Sequence, residues 1–103
     1  MTNEHVLYVR NPGPRPAFYL VAEHLWGVGC NFDSEGNSRT PLDREWVELY
    51  VALRGTGMAE LVHIDAVSES PLVLAIRSSR QDLCTRAAEY LASETGGTIA
   101  AAA

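Results

Sequence analysis

Few residues in this chain could carry chemistry. His63 and Asp65 stand two apart in the run MAELVHIDAV. On a strand that spacing puts both side chains on one face, as two metal ligands or as a base with its orienting carboxylate. A metal would need a third ligand from His5, His24, Glu60 or Cys30. Two polar residues on the wet face of a half-buried strand explain the pair without chemistry, and that reading is preferred. Leu61, in phase with them, leaves the choice of face open. Ser78 and Ser79 precede a helical pattern. No glycine-rich loop or G-x-S-x-G surrounds them, so helix capping accounts for them, with Ser79 and Asp82 spaced like a capping box. Cys30 and Cys84 lack C-x-x-C spacing and a sequence-local histidine, and read as reduced thiols in apolar segments. Their separation in space, and so a disulfide between them, is not set by the sequence. His24 falls on the apolar side of a helical pattern and reads as a core-edge histidine. Gly27-Val28-Gly29 follows a helix, not a strand, and is no nucleotide fingerprint. The expectation is no catalytic set, no metal and no cofactor.

The elements that must position these residues are best defined in the stretch 71–99, PLVLAIRSSRQDLCTRAAEYLASETGGTI. The apolar run 72–76 after Pro71 fits a strand buried on both faces. Leu83, Cys84, Ala87, Ala88 and Leu91 form one stripe of a helix, with Tyr90 at its edge. Gly96 and Gly97 end that helix, and Thr98 with Ile99 begins a short strand. Earlier in the chain, residues 6–10 read as a strand and 11–16 as a turn-rich break. Residues 17–26 read as a helix with Leu20, Val21, His24 and Leu25 inward, and 30–32 as a short strand. The polar segment 33–44 reads as a loop. The run 45–54, EWVELYVALR, alternates: Val47, Leu49, Val51 and Leu53 on one side, Trp46, Glu48, Tyr50, Ala52 and Arg54 on the other. Gly55-Thr56-Gly57 turns it into the strand 58–67.

Residues 6–10 parallel 73–77, and 21–25 parallel 87–91 with a one-residue shift. Two such β-α-β-like units around a central hairpin define the expected fold: an α+β two-layer sandwich, a ferredoxin-like variant, with the helices on one sheet face. Chance similarity of any two β-α-β units accounts for the parallel equally well.

The chain has 103 residues, 47% of them hydrophobic and 20% charged, which fits one globular domain over 1–99 with an alanine tail at 100–103. It is long enough to bury a core without disulfide staples, which become usual below about 40 residues. The net charge of −5 argues against non-specific nucleic-acid or anionic-membrane binding. No window approaches the roughly 18 apolar residues of a membrane span, and the polar N-terminus lacks a signal core.

Two features suggest a binding surface. Trp46, Tyr50 and Arg54 are residue types enriched at interface hot spots, and the aliphatic side opposite them is the better core. Asp33, Glu35, Asp43, Glu45 and Glu48 are compensated in sequence only by Arg39 and Arg44, which fits docking of a basic partner. The strand PLVLAIRSS, the helix ending AAEYLASETGG and the Trp-bearing strand EWVELYVALR, in a small acidic chain, together resemble the immunity proteins that bacteria encode beside secreted polymorphic toxins. The resemblance implies a cytoplasmic, non-enzymatic protein that binds and neutralises a cognate toxin domain with a basic surface. The expected partner-binding set is Asp33, Glu35, Asp43, Glu45, Trp46, Glu48, Tyr50 and Arg54. The alternative is a small ferredoxin-like ligand-binding domain or enzyme, often a homodimer, with a pocket between sheet and helices near His24, His63 and Cys30. A third expectation is a subunit that pairs an exposed sheet edge with its own copy.

Overall fold

The computed structural model describes residues 4–40, 42–56 and 59–102. The turn at Gly57, the start of the expected strand at Met58 and the last alanine, Ala103, lie outside them. In chain order the elements are β1 (His5–Arg10), α1 (Phe18–Trp26), β2 (Phe32–Gly36), β3 (Glu48–Leu53), β4 (Leu61–Glu69), β5 (Leu72–Ser78), α2 (Gln81–Thr95) and β6 (Thr98–Ala100). The fold is α+β. Its six strands form one sheet in the order β2-β3-β4-β5-β1-β6, antiparallel at every pairing.

The expected hairpin is present as β3 and β4, but it sits inside a four-strand meander from β2 to β5. β1 then enters beside β5, and β6 pairs with β1. Alternating directions make β5 and β6 parallel with one strand between them, while three strands separate β1 from β2. The two β-α-β-like units therefore occupy the sheet differently. β6 also reaches Ala100, one residue into the expected tail, and the Ala102 carbonyl accepts from Arg10 at 2.7 Å.

Register explains which residues are buried. Leu49, Ile64, Ile76 and Leu7 lie side by side across β3, β4, β5 and β1, and Val51 faces Val62. Val9, between Leu74 and Ile99, shares their face. That face packs under both helices, which touch each other: α1 on β3, α2 on β1, β4, β5 and β6. The molecule measures 36 × 34 × 20 Å, thin as two layers require.

α2 buries Leu83, Cys84, Ala87, Ala88 and Leu91, the stripe expected from spacing. It ends at Gly96, whose φ of 75° is the left-handed conformation that a Cβ would strain. Its start differs from expectation. Arg80 is the N-cap, no side chain caps the helix, and Ser79 is exposed. Ser78 instead turns inward as the last residue of β5. Its hydroxyl donates to the Leu61 carbonyl at 2.6 Å and accepts from the Arg80 N–H at 3.1 Å.

α1 buries Val21, Ala22 and Leu25. His24 is exposed, not at the core edge. Its ring stacks on Tyr90 of α2 with centroids 4.3 Å apart, because the α1 face next to its core stripe meets the second helix.

Candidate functional site

Among the described residues, no helix lies on the opposite sheet face. Two adjacent rows of side chains cross it: Glu35, Tyr50, His63, Arg77 and Val6; then Glu48, Asp65, Ala75 and Tyr8. His63 and Asp65 thus share the open face, as their spacing predicts. Tyr8, Tyr50, His63, Asp65 and Arg77 are half-buried among one another, while Glu35 and Glu48 are exposed. Ala52 and Ala75, on the same face, are buried. The Tyr50 and His63 rings meet edge to face, centroids 6.2 Å apart.

Two ion pairs cross the face. Arg77 bonds Asp65 on the neighbouring strand. Arg54 bonds Asp33 at 2.8 Å, and that carboxylate raises the arginine pKa through the hydrogen bond and its charge. Glu35 and Glu48 have no ion-pair partner among the described residues, so the β2–β3 end of the face is net negative. Asp65 is engaged by Arg77 rather than by His63. Among the described residues, no group of three His, Cys, Asp or Glu side chains could hold a metal ion.

Of the eight residues expected at a partner surface, Asp33, Glu35, Glu48, Tyr50 and Arg54 are brought together here. Asp33 and Glu35 do not sit in a loop. They belong to β2, an edge strand whose pattern FDSEG has no apolar alternation to announce it. Asp43 and Glu45 remain in the β2–β3 connection. The Asp43 carboxylate accepts the backbone N–H groups of Glu45 at 2.8 Å and Arg39 at 3.0 Å, which hold its pKa below the usual carboxylate value. Glu45 reaches toward Arg15 at 3.7 Å.

Trp46 is the correction. It is 1% exposed and cannot touch a partner. β3 begins only at Glu48, and the chain bends before it: Asn37 Oδ1 accepts the N–H groups of Val47 at 3.0 Å and Glu48 at 3.1 Å. The bend takes Trp46 out of phase with Glu48 and Tyr50. Its indole N–H donates to the Pro16 carbonyl at 2.8 Å inside the core.

Tyr8 and Arg77 complete the face but were missed from sequence. The signal was their phase: each is set apart from the inward residues of its strand by an odd number of positions.

His24, His63 and Cys30 do not converge. His24 lies on the helical layer and His63 on the opposite sheet face, while Cys30 sits after α1 with its sulfur 3.7 Å from the Ala22 carbonyl. None of the three lines a described cavity. Set beside known proteins, the chain matches no family model, no curated protein and no solved structure.

Proposed function

We propose that this chain is a non-enzymatic protein-binding module of the immunity kind: a cytoplasmic protein that holds a cognate toxin domain by its open sheet face. The fold reading that goes with it is a ferredoxin-like variant with its hairpin enlarged to a meander. The observation that carries the proposal is the composition of that face. Tyr50, His63 and Tyr8 offer rigid aromatic area at its centre, while Glu35 and Glu48, with no ion-pair partner among the described residues, leave one end negative. Aromatic anchors supply binding energy, and unpaired carboxylates steer a basic surface onto them. The pocket reading has no comparable support, because its three named residues lie apart.

The test is co-expression with the product of the adjacent gene. The chain is expected to co-purify with that product and to restore growth of cells that express it. Tyr50→Ala and Glu48→Lys each change an exposed or half-exposed side chain on the open face, and each is expected to weaken the complex by about tenfold or more. A complex unaffected by both substitutions, in variants that remain folded, refutes this interface.

A further inference from the structure

The outer edge of β2 has a property that the open face does not. Arg54 donates its N–H to Asn31 at 3.0 Å and Asn37 donates to Glu48 at 3.2 Å. These bonds flank Phe32↔Leu53 and Gly36↔Leu49, which are therefore the non-hydrogen-bonded pairs of the ladder. By alternation, Asp33 and Glu35 turn their backbone groups toward β3. Phe32, Ser34 and Gly36 turn theirs away from the sheet. β2 is a terminal strand, and Ser34 and Gly36 are exposed. Their outward N–H and C=O groups are the start of a new ladder.

The side chains flanking that edge differ between faces. On the open face stand Asp33, which Arg54 already pairs, and Glu35, with Glu48 beside Glu35. On the helical face is a cavity of about 210 Å³ lined by Phe18, Ser34, Glu35, Gly36, Ser38 and Leu49. Ser38 Oγ is buried there without a hydrogen-bond partner among the described residues.

A second copy of this chain is a poor occupant. Antiparallel pairing of β2 with itself, centred on Asp33, Ser34 or Glu35, sets acid against acid on the open face, and like charges directly opposite are destabilising. A strand with lysine or arginine at those positions meets the reverse situation.

We propose that the β2 edge accepts an extended basic segment of the partner protein, which adds as a seventh strand. Its lysine or arginine side chains lie along Asp33, Glu35 and Glu48, and its intervening small side chains enter the cavity beside Phe18 and Leu49. The backbone ladder supplies affinity, and the alternation supplies specificity. This rests on the reading of the chain as a protein-binding module.

The experiment uses the full chain and a defined probe, acetylated and amidated Lys-Thr-Lys-Thr-Lys, with residue-resolved amide hydrogen exchange. At saturation the Ser34 and Gly36 amides are expected to exchange more slowly by about tenfold or more, while the Asp33 and Glu35 amides, already in the ladder, change little. The same peptide with Glu in place of Lys gives no protection. Ser34→Pro removes an outward N–H at a position where an edge strand tolerates proline, and is expected to abolish the protection. If that variant does not fold, Glu35→Lys combined with Glu48→Lys decides instead, with a loss of peptide affinity of about tenfold expected. Absence of Ser34 and Gly36 protection, or equal protection by both peptides, overturns the proposal. It does so even if the adjacent gene's product binds through Tyr50, so the edge and the open face fail separately.

Discussion

The Nε of Arg15 donates to the main-chain carbonyl of Trp46 at 2.7 Å, and both residues are buried. Around this bond two distant segments are tied together. Arg15 N–H donates to Arg44 O at 2.9 Å, Arg44 Nε donates back to Arg15 O at 3.0 Å, and the Trp46 indole bonds Pro16. The clamp sets the entry of β3 against the start of α1. Trp46→Ala is expected to cost about 3–5 kcal/mol, the range for an aromatic deleted from a packed core. Arg15→Ala strands a buried carbonyl and is expected to cost about 1–3 kcal/mol. Urea unfolding of both variants checks this. A cost below about 1 kcal/mol for Trp46→Ala contradicts the core placement.

Two aspartates make stability sensitive to acid. Asp82 is held below its usual pKa by the hydrogen bond and charge of Arg80, and Asp43 by the two backbone N–H groups it accepts. Both folded-state pKa values lie below those of the unfolded chain. As pH falls past the ordinary aspartate value of about 4, the folded protein therefore takes up fewer protons than the unfolded chain does. The stability these contacts give is complete above that value and is lost as pH drops through the depressed ones. The doubly substituted protein Asp43→Ala/Asp82→Ala is expected to show a shallower fall of urea midpoint below about pH 4 than the parent. Parallel curves for the two proteins would falsify the assignment.

What could be read from the sequence follows from how much periodicity each segment carries. α2 was legible because its five inward residues repeat at helical spacing and Gly96 stops it. β3, β4 and β5 were legible from alternation or from a continuous apolar run. β2 was not, since FDSEG is an edge strand whose main signal is backbone pairing to β3. Trp46 was misplaced for a related reason: the alternation of EWVELYVALR runs on in the letters past the bend that Asn37 imposes from ten residues away. The Ser79 cap failed because Ser78 satisfied the turn from inside the sheet. The open face was half legible. Its β3 residues were found by phase, but their neighbours Tyr8 and Arg77 join them only through a strand order in which β1 lies beside β5.

The thiols are unpaired and differ in access. Cys84 is buried, its sulfur donating to the Ile76 carbonyl at 3.3 Å, and burial raises its pKa. Cys30 is half-buried; loss of solvent raises its pKa first, and the nearby Glu23 carboxylate adds to the rise. Both thiols are therefore less ionised than a free cysteine at the same pH, and only the thiolate attacks. Native protein is expected to label slowly at Cys30 and to label at Cys84 only through unfolding. Labelling with a thiol-reactive disulfide, in buffer and then in urea, separates the two. Rapid modification of Cys84 in the native protein is the contrary outcome.

Gly36 is set by space rather than by φ. A Cβ at this position would run into the backbone carbonyl of Glu48 across the β2–β3 ladder, so the strands must part to admit it. The nearest atoms, of Glu48 and Leu49, are all backbone, so no flexible side chain is there to yield. Gly36→Ala is expected to cost about 1–3 kcal/mol, the usual range for forcing an extra carbon into a packed site. The damage is expected to be local, because α2 and the β5–β1 pairing lie at the other end of the sheet. Amide exchange at Asp33 and Glu35, whose N–H groups face β3, should speed up before any change at Leu83 or Leu91. Uniform loss of protection across the molecule, or none at β2, is incompatible with this account of the edge.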